Sequence, residues 1–467
     1  MKQLRLFIVI VLLSLTACSD GVIAPLHRPQ ELVVITREGP TTFTADANLG
    51  EAGFEHDLAT MFAEEVGLPI RFIVASDEDE ALQKLRKGDA QLAAAWLTPE
   101  IDPALPASQP FAESGSIVVT HEASLPVSDV ASLNGKTVYV LAGSRQADVL
   151  RELKEKAPRL KIQEVHASSP LDLLEGVAHQ RYGAVLVDHT AFDIGANFYP
   201  ELIGDLEVGP DEPISWLFAP GSDVKLKQKA DAFIERKLSD GTVERLKDRY
   251  FGHVERLDQA DIEGFLDRMR NTLPQYRDLF QEAQARTGID WRLLAALAYQ
   301  ESLWNPQATS TTGVRGMMML TTETADRLRV SNRLDARQSV LAGARYLAEL
   351  RDSLPSSVRG PDRLWMAVAA YNLGLGHMNG ARSIASSLKV NPDAWYEMKK
   401  VLPLLARPDY YHRLKSGKAR GGEAVILVEN VRIYADILGR HELAWRPMPR
   451  RADGNTELAG TPTLNNR

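Results

Sequence analysis

The chain has 467 residues, more than one hydrophobic core usually supports, so two or three domains are expected. Hydrophobic residues make up 44% and charged residues 25%, the proportions of an ordinary soluble globular protein. A formal net charge of −8 argues against a general nucleic-acid binder, which needs a basic face to offset phosphate charge. At the N-terminus, Lys2 and Arg5 flank the start of an apolar run, Leu6 to Leu13. That run is too short to span a bilayer as a helix and has the form of a secretory h-region. It ends in Leu15-Thr16-Ala17-Cys18.

This ending resembles the lipobox of bacterial lipoproteins. The resemblance implies that residues 1–17 are a signal peptide and that Cys18 is acylated after cleavage. With Ser19 next to it, and not Asp, it also implies an outer-membrane address on the periplasmic face. Several acyl chains on one residue hold a membrane better than a single chain does. Cys18 is the sole cysteine, which suits an oxidising compartment where stray thiols mispair. Residues 18–30, with Gly21, Pro25 and Pro29, read as a tether.

From residue 31 the pattern becomes α/β. Leu32–Thr36, Ile70–Val74 and Ala90–Trp96 read as strands, and Phe54–Val66 and Glu80–Leu85 as helices. A second alternation follows, with strands at Thr137–Leu141, Lys161–Val165 and Ala184–Asp188 and helices at Arg145–Lys154 and Leu171–His179. Strands and helices at this spacing predict parallel sheets covered on both faces. The order of elements resembles the periplasmic solute-binding proteins of amino-acid transporters. Gly53-Phe54-Glu55-His56-Asp57-Leu58, Leu133-Asn134-Gly135-Lys136-Thr137-Val138, Tyr182 to Asp188 and Ile234 to Thr242 carry the likeness. It implies two α/β lobes over residues 31–252 with a ligand cleft between them.

Residues 253–268 are polar at their start and are expected to be a linker, and residues 269–445 show helical periodicity almost throughout. Residues 446–467 have no periodicity and are expected to be a disordered tail. Within the helical half, Asp290 caps a helix from Trp291 to Leu303, apolar on more than one side and ended by Asn305-Pro306. Glu301 sits near its last turn. The negative end of the helix dipole and the apolar neighbours both disfavour its ionised form, which suits a general acid.

Glu301-Ser302, then Asn305-Pro306-x-Ala308-x-Ser310-x-x-Gly313-x-x-Gly316, then Ala370-Tyr371-Asn372, and finally Glu423, Asn430 and Tyr434 form an ordered motif series. The series resembles the soluble-type lytic transglycosylases, which have an all-α, lysozyme-like domain. The resemblance implies that Glu301 is catalytic acid and base, and that Ser310 lies beside the sugar acetamido group. It also implies that Gly316 and Met318 line the saccharide groove, with Tyr371 and Asn372 on its opposite wall and Tyr434 as a further substrate contact. Two departures stand out: Met319 replaces the usual Gln, and Leu427 stands where a Tyr is usual. With the α/β half, the whole resembles the F-type branch of the membrane-bound lytic transglycosylases.

Most glycosidases use two carboxylates, whereas the matched motifs supply one. The resemblance implies cleavage of the bond between N-acetylmuramic acid and N-acetylglucosamine without water, closing a 1,6-anhydro ring. Glu323 and Asp326 read as solvated helix residues. Two alternatives stay open: a hydrolytic muramidase of the goose-lysozyme kind, and a non-catalytic cell-wall-binding sensor. No His, Cys or Glu spacing suggests a metal site, and no cofactor is expected. Gly374-Leu375-Gly376-His377 follows a helical pattern, so it does not read as a phosphate loop.

In the solute-binding-like half, Thr98-Pro99-Glu100 is followed by Ile101 where amino-acid binders carry a carboxylate-gripping Arg. Asp188 matches their ammonium-binding Asp, and Ser144 and Arg145 sit where backbone amides meet an anion. The expected ligand is a cell-wall stem peptide or muropeptide that modulates the catalytic half. The alternative is a spacer with a vestigial cleft.

Overall fold

A computed structural model of the chain describes residues 31–46, 50–253 and 257–446. The expected signal peptide, Cys18, the tether and all of the expected tail beyond Arg446 lie outside the described residues.

The α/β half opens with β1 (Leu32–Arg37), a hairpin of β2 (Thr44–Asp46) and β3 (Gly50–Ala52), and α1 (Phe54–Val66). Next come β4 (Ile70–Ala75), α2 (Glu78–Lys87), β5 (Leu92–Leu97) and β6 (Ala112–His121). The second lobe adds β7 (Thr137–Leu141), α3 (Arg145–Leu153), β8 (Lys161–Val165), α4 (Pro170–Ala178), β9 (Val185–Asp188) and α5 (His189–Phe198). β10 (Leu202–Phe218), α6 (Val224–Ser239) and α7 (Thr242–Tyr250) return the chain to the first lobe.

β1 pairs in parallel with both β4 and β5, and every residue of β1 and β5 is buried. Burial on both faces suits strands that are apolar or small apart from Thr36 and Arg37 of β1, with helices covering the sheet. β10 is antiparallel to β5 at one end and to β6 along most of its length, so both lobes share one sheet of order β4-β1-β5-β10-β6-β9-β7-β8. β6 and β10 are absent from the sequence-based expectation. Gly204, Gly209, Pro210 and Pro213 punctuate β10, and its register breaks between Gly204 and Leu206 and between Val208 and Glu212 absorb the first three. Arg37, Leu97 and Leu141 end the parallel strands β1, β5 and β7, and the cleft opens beyond them, where ligands of open α/β sheets sit.

The helical half holds α8 (Gln259–Asn271), α9 (Arg277–Thr287), α10 (Trp291–Ser302), α11 (Thr322–Arg327) and α12 (Ala336–Ser353). It continues with α13 (Gly360–Leu373), α14 (Leu375–Ser387), α15 (Trp395–Val401), α16 (Pro408–Tyr411) and α17 (Gly421–His441). α10 is the central helix: Trp291 to Tyr299 are all buried. α17 packs along it. None of the described helices is long and apolar enough to cross a membrane.

The linker expected at 253–268 is different in kind. α8 begins at Gln259, and its Ile262, Phe265 and Leu266 are buried because they recur at helical spacing on one face. His253 is buried too, with its Nε2 2.6 Å from the Asp436 carboxylate on α17. The first lobe has its own cores on either sheet face, around Phe54, Phe62 and Trp216 and around Ile35, Leu82 and Leu85. The second lobe has one separate core around Val138, Leu150 and Leu186. Its other face is not separate: Val187, Leu174 and Phe198 belong to one hydrophobic cluster with Phe265, Leu294 and Val431 of the helical half.

Candidate active site

The Asp290 carboxylate caps α10 by accepting the Arg292 N–H at 2.8 Å. At the other end Leu303 and Trp304 both take left-handed backbone, at φ 54° and 57°. Two such non-glycine residues in succession are costly and persist only where the surroundings enforce them. Here Trp304 is buried, stacks near Phe265 and Tyr299, and donates from Nε1 to Ala295 O at 2.8 Å. The helix therefore stops abruptly, leaving Glu301 on its last turn.

Glu301 is half-buried, and its carboxyl has no hydrogen bond or ion pair to any other described residue. Burial pushes its pKa up to about 8, and no charged neighbour among the described residues contributes to the shift. The burial expected from sequence is the cause of this shift. A carboxyl in this state keeps its proton near neutral pH and has it free to give.

Beside it runs a strap, residues 308–320, folded back by bridges from Arg315 to Thr309 and to Leu320. Gly316, at φ 85°, passes so close to the chain at Arg333 that a Cβ there would lie 1.8 Å from Arg333 O. Side chains pin the strap at successive backbone groups. Ser302 Oγ lies 2.8 Å from Met317 O, and Tyr371 donates from its hydroxyl to Met318 O at 2.7 Å. Ser339 Oγ accepts the Met318 N–H at 3.1 Å, and Arg333 donates to Gly313 O at 2.9 Å and Leu320 O at 2.8 Å. Met319 then takes φ 47°, a third left-handed residue beside the carboxyl. Sequence reasoning does not single out Arg333 or Ser339, which lie well downstream. Ser302 had one signal, its place directly after Glu301.

The expected substrate residues fall into distinct positions. Burial and then the Glu301 carboxylate push the Tyr371 phenol well above its usual range, so it stays a donor to the strap. Asn372, next on α13, is exposed. Ser310 is half-buried, and its Oγ accepts from the N–H groups of Thr312 and Val314, both at 3.2 Å, shaping its own turn. Met318 differs from its expected place in the groove wall: its side chain is fully buried, and its backbone is what the site uses. Tyr434 differs as well. It is only 6% exposed and stacks on Phe265, ring centroids 4.5 Å apart, with Tyr299 at 4.8 Å, because α17 presents that face to α10. Glu323 and Asp326 are exposed on or beside the start of α11.

In the N-terminal cleft, Asp188, Ser144 and Arg145 line one cavity. Asp188 caps α5 through Ala191 N–H at 3.0 Å, and Ser144 caps α3. Arg145 holds Glu212 through two bonds to Nε of 2.9 and 3.0 Å.

Relatives carry the same two-part architecture. Residues 278–393 match the Transglycosylase SLT domain model, and residues 32–253 match Bacterial extracellular solute-binding proteins, family 3. A protein of Methylobacillus flagellatus named membrane-bound lytic murein transglycosylase F is 41% identical over 95% of this chain and 96% of its own. One of the same name from Thiobacillus denitrificans is 43% identical over 94% of each chain. The chain belongs to the membrane-bound lytic murein transglycosylase F family. Among solved structures, an ancestral arginine-binding protein bound to arginine is 23% identical, with a TM-score of 0.43, over 48% of this chain and 100% of that one. In this family member, then, a solute-binding-like α/β half precedes a helical transglycosylase half, and the strap and Glu301 lie in the second.

Proposed function

We propose that this lytic murein transglycosylase cleaves the β-1,4 bond between N-acetylmuramic acid and N-acetylglucosamine without water, with Glu301 as sole acid and base. The observation that carries the reading is the Glu301 carboxyl itself: unpartnered among the described residues, raised to about 8 by burial, and beside a pinned strap. The neutral carboxyl gives its proton to the glycosidic oxygen as the bond to the muramyl C1 breaks. The acetamido group of the same sugar stabilises the cationic C1, with Ser310 beside it. The carboxylate then takes the proton of the muramyl C6 hydroxyl as its oxygen closes on C1. The products are a free N-acetylglucosamine 4-hydroxyl and a 1,6-anhydro ring, and Glu301 regains its proton. That no charged group among the described residues shifts Glu301 supports a one-carboxylate path over the two-carboxylate path of a muramidase.

Gly316 and the backbone of Met318 give the groove its floor, Tyr371 and Asn372 its wall, and Tyr434 acts from behind α10. Residues 269–445 form the catalytic unit. Residues 31–252 form a modulating unit whose cleft takes a stem peptide or muropeptide through Asp188, Ser144 and Arg145. Cys18 carries the lipid that holds the protein to the periplasmic face of the outer membrane. The deciding experiment is mass spectrometry of soluble products from purified sacculi. Anhydromuropeptides from the wild type and none from Glu301→Gln are expected. Reducing-end muropeptides would instead mean hydrolysis by a second carboxylate. Calorimetry of the full mature chain with muropeptides tests the cleft, and no heat at millimolar ligand removes that part of the reading.

A further inference from the structure

The cleft between the α/β lobes is narrow: the space left in it for water-sized molecules is about 30 Å³. What narrows it comes from the chain, at the start of α2 in the first lobe. Glu78 pairs with Arg37 at 3.0 Å, and their side chains are 8% and 5% exposed. The same carboxylate lines the cavity together with Ser144 and Arg145, at the first turn of α3 in the second lobe. Its neighbours cross the cleft. The Asp77 carboxylate lies 3.2 Å from His166 Nδ1, and Asp79 packs so tightly on Gly143 (φ 67°) that a Cβ there would lie 2.7 Å from Asp79 Cβ.

A guanidinium in one lobe and a helix N-terminus in the other make a place for an anion. Arg37 is buried, it lines the cavity, and its Nη1 has no hydrogen-bond partner among the described residues. Nε and Nη2 donate to Ala95 O, and Nη2 also faces Glu78 Oε1 at 3.0 Å. The guanidinium therefore has more donor capacity than Glu78 uses.

We propose that Glu78 is a built-in carboxylate ligand, filling the anion place between Arg37 and the start of α3, so that a carboxylate from outside enters only by displacing it. The inference deepens the ligand reading of the N-terminal half and rests on it only for the location of the cleft. It means that the wild-type cleft rejects small carboxylates, free α-amino acids included. A ligand that does bind is gripped by other groups, or contributes enough contacts to evict Glu78.

The test compares full-length wild type with Glu78→Ala and Glu78→Ser, the latter keeping a hydroxyl at the start of α2. Melting temperature is followed with sodium acetate and with sodium chloride at equal ionic strength. The expected result is a saturable rise with acetate over chloride in the variants, and none in the wild type. Glycine should act in the same way as acetate on the variants. A variant that folds only in acetate would count in favour. Two results would overturn the proposal: neither variant responding to acetate more than to chloride, or the wild type responding as strongly as they do. Muropeptide calorimetry on the wild type is independent of this outcome, so each reading can fail alone.

Discussion

Two glutamates of this molecule, one in each half, sit in opposite company. In the helical half Glu301 has no bonded partner for its carboxyl among the described residues, and burial pushes its pKa to about 8. In the α/β half Glu78 is also raised by burial, but Arg37, 3.0 Å away, pulls the other way. A third acid separates burial from function. Glu55 is raised to about 8 as well, yet it is wholly buried behind β5, where its carboxylate takes the Trp96 N–H. Perturbation alone therefore does not mark a catalytic acid. The difference lies in what meets each carboxyl: no bonded partner among the described residues, an internal cation, or a backbone N–H of the core.

Breaking that contrast at Glu301 should have the largest effect. Glu301→Gln keeps shape and removes the proton, and sacculus digestion should fall by about 10³-fold or more while circular dichroism is unchanged. Gly316→Ala should come next. A Cβ 1.8 Å from Arg333 O cannot be accommodated without moving the strap. A loss of about 2–4 kcal/mol in denaturant stability, with activity lost in parallel, is expected.

Tyr371→Phe leaves Met318 O without its donor, which should cost about 1–3 kcal/mol and lower kcat/KM about tenfold. Unchanged kinetics would show that the strap is held without it. The pH profile sharpens the contrast more gently. The Glu301 pKa of about 8 lies above the ordinary 4.5, so the fold retains the proton, and activity needing the acid form should fall as pH rises through about 8. Stability from holding the neutral carboxyl is present below about 4.5 and is lost as pH climbs to about 8. Because Glu301 is half-exposed, the gain of Glu301→Gln in melting experiments above that pH should stay near ~1–2 kcal/mol. Smallest should be Ser339→Ala, about 1 kcal/mol, for the loss of one acceptor to Met318 N–H.

Elements with a clean period were legible in the chain. α1, β7 and β8 span Phe54–Val66, Thr137–Leu141 and Lys161–Val165 as the pattern predicts. β6 and β10 were not, because polar residues, glycines and, in β10, prolines break each strand and leave only short apolar stretches such as Ile117–Val119 and Trp216–Phe218. At the site, residue types pointed to Glu301 and Tyr371, whose chemistry depends on their own side chains. They do not tell that the side chains of Met318 and Tyr434 are buried, because a motif position does not say whether side chain or backbone is presented. Arg333 and Ser339 act through contacts formed only when α12 packs under the strap. The helical nature of residues 259–268 was hidden by the charges on the outer face of α8.

The hydrophobic cluster that joins the second lobe to the helical half has a consequence for how the molecule comes apart. The polypeptide enters the first lobe, leaves it for the second and returns before the helices begin, so chain order would group the two lobes together. The apolar contacts group them otherwise: Leu174, Val187 and Phe198 share their packing with Phe265 and Leu294. Heating should therefore melt the second lobe in the same cooperative step as the transglycosylase helices. Packing across the fold, more than chain order, should then set the unit of cooperativity.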